Sequence, residues 1–139
     1  DIVSLHVPYT PSTHHLMNRQ TFRLMKRGAL LINTARGGIV ETGALVWALD
    51  EGIVGGAGLD VLEGEELVKE ERQLLCQDFP KEKLVTALKN HILLHRENVV
   101  ITPHIAFDSR EALQRILETT VTNIAAFLNG APVNLVTHG

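Results

Sequence analysis

Four short apolar runs punctuate the chain: "IVSLHV" at 2–7, "ALLINT" at 29–34, "GAGLDV" at 56–61 and "NVVITP" at 98–103. Their side chains are mostly aliphatic and nearly continuous, without the polar alternation of a strand that has one wet face. Such runs predict parallel strands covered on both sides. Between them the spacing becomes helical. Thr42 to Glu51 sets Leu45, Val46 and Leu49 on one side and stops at Gly52, a suitable residue for the position after a helix. A second helix is expected within Thr13 to Lys26, where Leu16, Met17, Phe22, Leu24 and Met25 are available for packing. Strand and helix alternating at this spacing mean an α/β fold of βαβ units, with right-handed crossovers and a parallel sheet.

The last third holds the clearest helix. Asp108 followed by Glu111 fits a D-x-x-E capping arrangement. Leu113, Ile116, Leu117, Val121, Ile124, Phe127 and Leu128 then form a wide apolar stripe, closed by Gly130 and Pro132. A face of that width requires something to cover it. Residues 62–97 differ: acidic at first, then helical patterns around Leu74-Leu75 and Leu84-Val85-Leu88. They read as a helical insertion ahead of the last strand.

Composition narrows the class without naming a function. The chain's 139 residues suit one domain with a real core, and 45% hydrophobic with 21% charged residues is ordinary for a globular protein. A net charge of −3, with basic residues scattered, gives no general attraction to nucleic acid or to an anionic membrane surface. No apolar stretch is long enough to span a bilayer. The single cysteine, Cys76, cannot close an intramolecular disulfide, in keeping with a cytoplasmic location. His91 and His95 lie four apart and His14-His15 are adjacent, but neither pair has further ligands at metal-site spacing, so they read as solvated histidines. Trp47, Phe127, Met17 and Met25 read as core.

Candidate chemistry stands just beyond the strands. Arg36 follows the second, Glu65 the third and His104 the fourth. In a parallel sheet these ends share one edge, where open α/β proteins bind ligands. Arginine can grip a carboxylate with two parallel hydrogen bonds, and histidine can pass a proton near neutral pH with a carboxylate to fix its ring. Taken singly, Arg36 reads as a solvated turn residue, Glu65 as one of several surface acids in "EGEE", and His104 as an unremarkable structural histidine. Their arrival in order at successive strand ends is what marks a site.

The stretches "SLHVPYTPSTHHLMN", "LLINTARGGIVETGALVWAL", "GGAGLDVLEGE" and "NVVITPHIAF" together resemble the D-isomer-specific 2-hydroxyacid dehydrogenases, over nearly the whole chain. The resemblance implies an oxidoreductase that transfers a hydride between NAD(H) and a small D-2-hydroxy or 2-oxo acid. It makes Arg36 the ligand of the substrate carboxylate and His104 the proton donor, paired with Glu65. Glu63 and Glu66 flank Glu65 as alternatives of register. It also sets Val7 and Pro8 beside the cofactor, with Thr13 near them. Thr34, Ala35 and Arg36 would line the nicotinamide side, and Asp60 would face the carboxamide. His6 matches the family's "HVP" as either a site or a structural residue. "HIAF" followed by "DSREAL" is similar to the lactate dehydrogenase branch, which implies a small 2-oxo acid such as pyruvate.

The G-x-G-x-x-G fingerprint of dinucleotide binding is absent, and "GGAGLD" at 55–60 enters a strand instead of leaving one. The expected fold is therefore half of a doubly wound, Rossmann-type parallel sheet: the second half of a cofactor domain, without the fingerprint half or the substrate domain. A chain that opens on Asp1-Ile2-Val3 looks like a cut inside a longer protein. Alone, it is expected to bind NADH weakly or not at all. Strand 2–7 would expose an edge, and pairing through that edge or through the face of helix 109–129 would give a homodimer. Two other readings stand beside the enzyme: a nicotinamide-responsive interaction module like the C-terminal-binding-protein corepressors, and a folded fragment inactive by itself.

Overall fold

The computed structural model describes residues 1–65 and 80–136. β1 (Ile2–Leu5), β2 (Ala29–Asn33), β3 (Val54–Leu59) and β4 (Val99–Ile101) form one sheet, all parallel, in the order β1-β2-β3-β4. β1, β2 and β4 stop one or two residues before their apolar runs do, because the chain leaves the ladder at His6, Thr34 and Thr102. β3 lies slightly earlier than its run, starting at Val54 and releasing Asp60 to the loop. Register is what matters for the site. Leu5 pairs with Asn33, Asn33 with Leu59, and Leu59 with Ile101. The residues that follow, His6, Thr34, Asp60 and Thr102, therefore begin their loops side by side along one edge.

The core lies between one face of the sheet and its helices: Phe22, Leu31, Ile39, Leu45, Val54 and Leu93 are all fully buried, whereas Ile2, Leu30 and Val100 are exposed, so among the described residues the strands are not covered on both sides as their apolar runs suggested. α1 is Arg19–Phe22, α2 Thr42–Asp50 and α3 Lys81–Leu94. α2 packs through Ala44, Leu45, Ala48 and Leu49, and Gly52 follows it in the left-handed region at φ +64°, as its place after the helix requires. α3 meets α2 through Asn90 and Leu93, whereas Leu84, Val85 and Leu88 stay exposed. The pattern around Leu74-Leu75 lies outside the described residues, as do Glu66 and Cys76. Trp47 is part-buried against the core, with the Arg19 and Arg23 guanidiniums 5.3 and 5.5 Å from its ring.

The helix expected within Thr13 to Lys26 is present but short. Within Thr13 to Lys26 only α1 is helical, because residues 15–17 are used differently. The His15 amide donates to the Gly38 carbonyl and the Met17 amide to that of Ile39, while Glu41 donates back to Met17. Backbone groups satisfied by a neighbouring loop are not available to a helix. The helix starts only at Asn18, where a capping box forms: the Asn18 side chain accepts from the Gln20 and Thr21 amides, and the Thr21 hydroxyl accepts from the Asn18 amide. Met17 and Phe22 are buried and Met25 packs on the core, but Leu16 and Leu24 face solvent.

From Ile105 onward the chain forms a second compact unit. α4 (Arg110–Leu128) is capped by Ser109, whose hydroxyl accepts from the Ala112 amide. Asp108 is not the cap: its own amide closes a turn onto Ile105, one residue too early. No residue of α4 is buried. Phe127, read as core from sequence, is 72% exposed, since among the described residues this unit is one helix with short flanking turns and lays none of them on the stripe.

Asn18→Ala should cost about 1 kcal/mol through loss of the cap, read as a lowered urea midpoint with an unchanged slope.

Candidate active site at the carboxyl edge of the sheet

Asn33, almost fully buried at the end of β2, shapes the first loop. Its side chain accepts from the Ala35 amide at 3.1 Å and donates to the Arg36 carbonyl at 3.0 Å. These bonds close the turn "NTAR" against the sheet and turn Arg36 outward. Arg36 is exposed, and its Nη1 donates to the Ala35 carbonyl at 2.7 Å. Asn33 also receives the Asp60 amide on its carbonyl, which ties the start of the third loop to the end of the second strand.

Gly37 carries the tightest constraint at this edge. A Cβ there would lie 2.0 Å from the Leu62 carbonyl oxygen and 2.5 Å from the Glu63 nitrogen. Both neighbours are main chain, so no side-chain rotation could make room. The arginine loop and the loop after β3 thus touch backbone to backbone.

That contact helps set the carboxylate and the imidazole. Glu65 Oε1 lies 3.0 Å from His104 Nδ1, and Glu65 Oε2 accepts from the Leu62 amide at 3.3 Å. Both side chains are about a third to under half exposed, so the pair is wet on one side. His104 adopts φ +57°, unusual for a residue with a Cβ, and its amide donates to the Thr102 carbonyl. With Glu65 on Nδ1, Nε2 is the ring nitrogen available for proton traffic. Asp60, Leu62, Glu65, Ile101, Thr102, Pro103 and His104 line one hollow of about 250 Å³. In it the buried Asp60 carboxylate accepts from the Thr102 hydroxyl.

The remaining expected site residues fall in two places. Val7, Pro8, Thr34, Ala35 and Arg36 line a second hollow, together with His6 and Tyr9. Thr13 lines neither hollow: its hydroxyl donates to the Pro8 carbonyl at 2.7 Å and accepts from the Thr10 amide, organising the turn behind them. Tyr9 escaped the sequence reading. Its ring lies against Gly38 and its hydroxyl meets His14 Nδ1 at 2.9 Å. Among the described residues no three metal-ligating side chains converge, and no helix is long and apolar enough to cross a membrane.

Glu63, the alternative of register to Glu65, has a different task. Its Oε1 lies 2.6 Å from His15 Nε2, and its Oε2 accepts from the Thr42 amide at 3.0 Å and the Thr42 hydroxyl at 2.8 Å. The Asn90 amide group donates to the Glu63 carbonyl. Burial alone would push this carboxyl up. The Thr42 amide, the His15 ring and the Thr42 hydroxyl outweigh it and hold Glu63 below its ordinary 4.5. Glu41, next to α2 in sequence, makes no side-chain cap, so Glu63 serves that helix start from 21 residues away. No local pattern could have revealed this.

Residues 1–106 match the family described as D-isomer specific 2-hydroxyacid dehydrogenase, NAD binding domain. The chain is 45% identical over 130 residues to a glyoxylate reductase of Thermofilum pendens, covering 94% of this chain and 32% of that protein. It is 39% identical over 137 residues to a glycerate dehydrogenase of Methylorubrum extorquens, covering 98% and 38%. A solved D-lactate dehydrogenase of Aquifex aeolicus, complexed with NAD and lactic acid, superimposes with a TM-score of 0.77 at 44% identity, over 94% of this chain and 38% of that one. The chain thus spans about a third to two fifths of the length of these relatives.

Gly37→Ala should separate the two loops and abolish the site, visible as loss of the His104–Glu65 contact in a crystal structure of the variant. Glu63 also predicts a pH dependence. Its folded value lies below the ordinary 4.5, so its stabilising contribution is complete above that value and is lost as pH falls through the folded one. Glu63→Gln should therefore flatten the fall of stability on the acid side, measured by denaturant melts between neutral pH and about pH 3.

Proposed function

The chain belongs to the D-isomer specific 2-hydroxyacid dehydrogenase family through its NAD binding domain, and on that premise we propose that it carries the catalytic edge of an enzyme that reduces a small 2-oxo acid to a D-2-hydroxy acid. The observation that carries the reading is the Glu65–His104 pair, 3.0 Å apart in the hollow that Asp60 also lines. Arg36 stands at the end of β2, with β3 between it and His104.

The residues present fit the nicotinamide half of NAD. Val7, Pro8 and Ala35 offer apolar wall to a flat ring, and buried Asp60 offers carboxylate oxygens to a carboxamide. The glycine-rich turn that would hold the pyrophosphate has no counterpart in this sequence. When bound, the cofactor supplies the hydride for reduction.

The chain's own groups do the rest. Arg36 takes the substrate carboxylate and draws electron density from the neighbouring carbonyl. His104 gives a proton from Nε2 to the carbonyl oxygen as it becomes an alcohol. Glu65 holds the ring through Nδ1, which fixes its orientation and leaves Nε2 to face the carbonyl oxygen. In the oxidative direction the same histidine takes the proton back. Similarity to a D-lactate dehydrogenase favours pyruvate as the substrate. On this reading the protein works in the cytoplasm as a homodimer, for which the exposed stripe of α4 offers apolar surface.

The test follows NADH consumption with pyruvate, glyoxylate and hydroxypyruvate in the full-length protein that carries this chain. Arg36→Ala should lower kcat/KM by about 10²-fold or more, as expected for losing a charge-assisted pair of hydrogen bonds. His104→Asn, which tolerates the left-handed backbone, should lower kcat by about 10²–10⁴-fold. Tight NADH binding without turnover would favour the interaction module instead.

A further inference from the structure

Glu63 stands where three loops of the carboxyl edge and one helix converge. Its carboxylate meets His15, from the loop after β1, and Thr42, at the start of α2 beyond the arginine loop. Its carbonyl receives Asn90 of α3. Glu63 itself belongs to the loop after β3, and its side chain is about a fifth exposed. Two residues later comes Glu65. Gly64, at φ +68°, turns the chain between them, so the two acids leave the same short turn toward different partners. The Glu65 amide closes that turn onto the Leu62 carbonyl, and the Glu65 carboxylate returns to the Leu62 amide.

His15 shows how firmly the grip is made. It holds φ +51°, a conformation that costs a residue with a Cβ, and its backbone is pinned there from both sides. The His15 amide donates to the Gly38 carbonyl, and the Asn18 side chain donates to the His15 carbonyl. The His14 ring stacks on the His15 ring at 3.8 Å. A strained, over-determined histidine aimed at a part-buried carboxylate is more than is needed to cap a nine-residue helix.

We propose that Glu63 is a positioning residue for the reaction: gripped by His15 and Thr42, it fixes the Leu62–Glu65 turn and so holds the Glu65 carboxylate on the His104 ring. This rests on the dehydrogenase reading above. Without the grip the turn keeps its backbone contact with Gly37 and the Asn90 bond to its carbonyl, but the His15 and Thr42 hold on its side chain is gone, and Glu65 loses its fixed place relative to Nδ1. The hollow lined by Val7, Pro8, Thr34 and Ala35 shares no hydrogen bond with the Glu63 side chain among the described residues. The effect is therefore on the proton-transfer step and not on cofactor affinity.

A double-mutant cycle in the full-length protein tests this, with unsubstituted protein, Glu63→Ala, Glu65→Ala and the double variant compared for kcat and for KM of NADH. Glu63→Ala is expected to lower kcat by roughly 10- to 100-fold, the scale of a small misplacement of a reacting group, with KM for NADH unchanged. Glu63→Gln keeps an oxygen for the Thr42 amide and is expected to restore most of the rate. The double variant is expected to be no slower than Glu65→Ala, because Glu63 acts through Glu65. A role confined to stability would give losses that add. Full kcat in Glu63→Ala, additive losses, or a raised KM for NADH at unchanged kcat would each overturn the proposal. Should Glu63→Ala fail to fold, His15→Asn keeps the left-handed backbone but is too short to reach Glu63. It should show the same kcat-only loss, and unchanged kcat in that folded variant would overturn the proposal. Absence of turnover in the unsubstituted protein would refute the dehydrogenase reading and this inference together.

Discussion

The closest constraint in the molecule is a place where two loops meet without side chains between them. Gly37 lies against the carbonyl of Leu62, nearer than any Cβ would permit. Because of that approach, the loop that displays Arg36 and the loop that displays Glu65 form one surface. The parallel sheet brings them to the same edge, but parallel pairing alone would leave them a strand spacing apart, with independent motion. Backbone contact removes that independence, and Asn33, whose side chain closes the first loop and whose carbonyl receives Asp60, reinforces it.

Charge at this edge is handled in two ways. Glu65 and His104 are each part-exposed and touch each other once, which leaves the other edge of the imidazole open to solvent. Glu63 is more enclosed, and three donors face its carboxylate. A buried carboxylate without partners would be strongly destabilising, whereas one that accepts a helix-start amide, a hydroxyl and an imidazole stays ionised. One acid faces the histidine and its neighbour is locked among three donors. The glycine between them, in the left-handed region, permits the division.

The strands and α2 were legible because their causes are local. Aliphatic runs bounded by turn residues predict parallel strands, though not that Ile2, Leu30 and Val100 stay exposed, and Leu45 to Gly52 states both the packing face and the stop. The helix within Thr13 to Lys26 was legible, but its short extent has a cause no local rule contains: residues 15–17 find their hydrogen-bond partners at 38–41, and sequence spacing cannot show a pairing across a loop. Ser109 displaced Asp108 as a cap because both residue types can cap, and the Asp108 amide was already committed to a turn. Phe127 was read as core from its apolarity, but apolarity says that a face wants cover, not that cover is present within the same unit.

By itself the sequence determined the α/β class, the order of its strands and helices, the three groups Arg36, Glu65 and His104 at successive strand ends, and a family whose motifs span the chain. These follow from short-range preference and from motif order. Tertiary structure alone decided which acid faces the histidine, that Thr13 braces a turn instead of lining a hollow, and that Glu63 serves a helix 21 residues upstream. Those outcomes depend on which side of a turn each side chain leaves and on which distant donors wait there. Such donors are neighbours only after the parallel register has brought the ends of β1, β2, β3 and β4 to one edge.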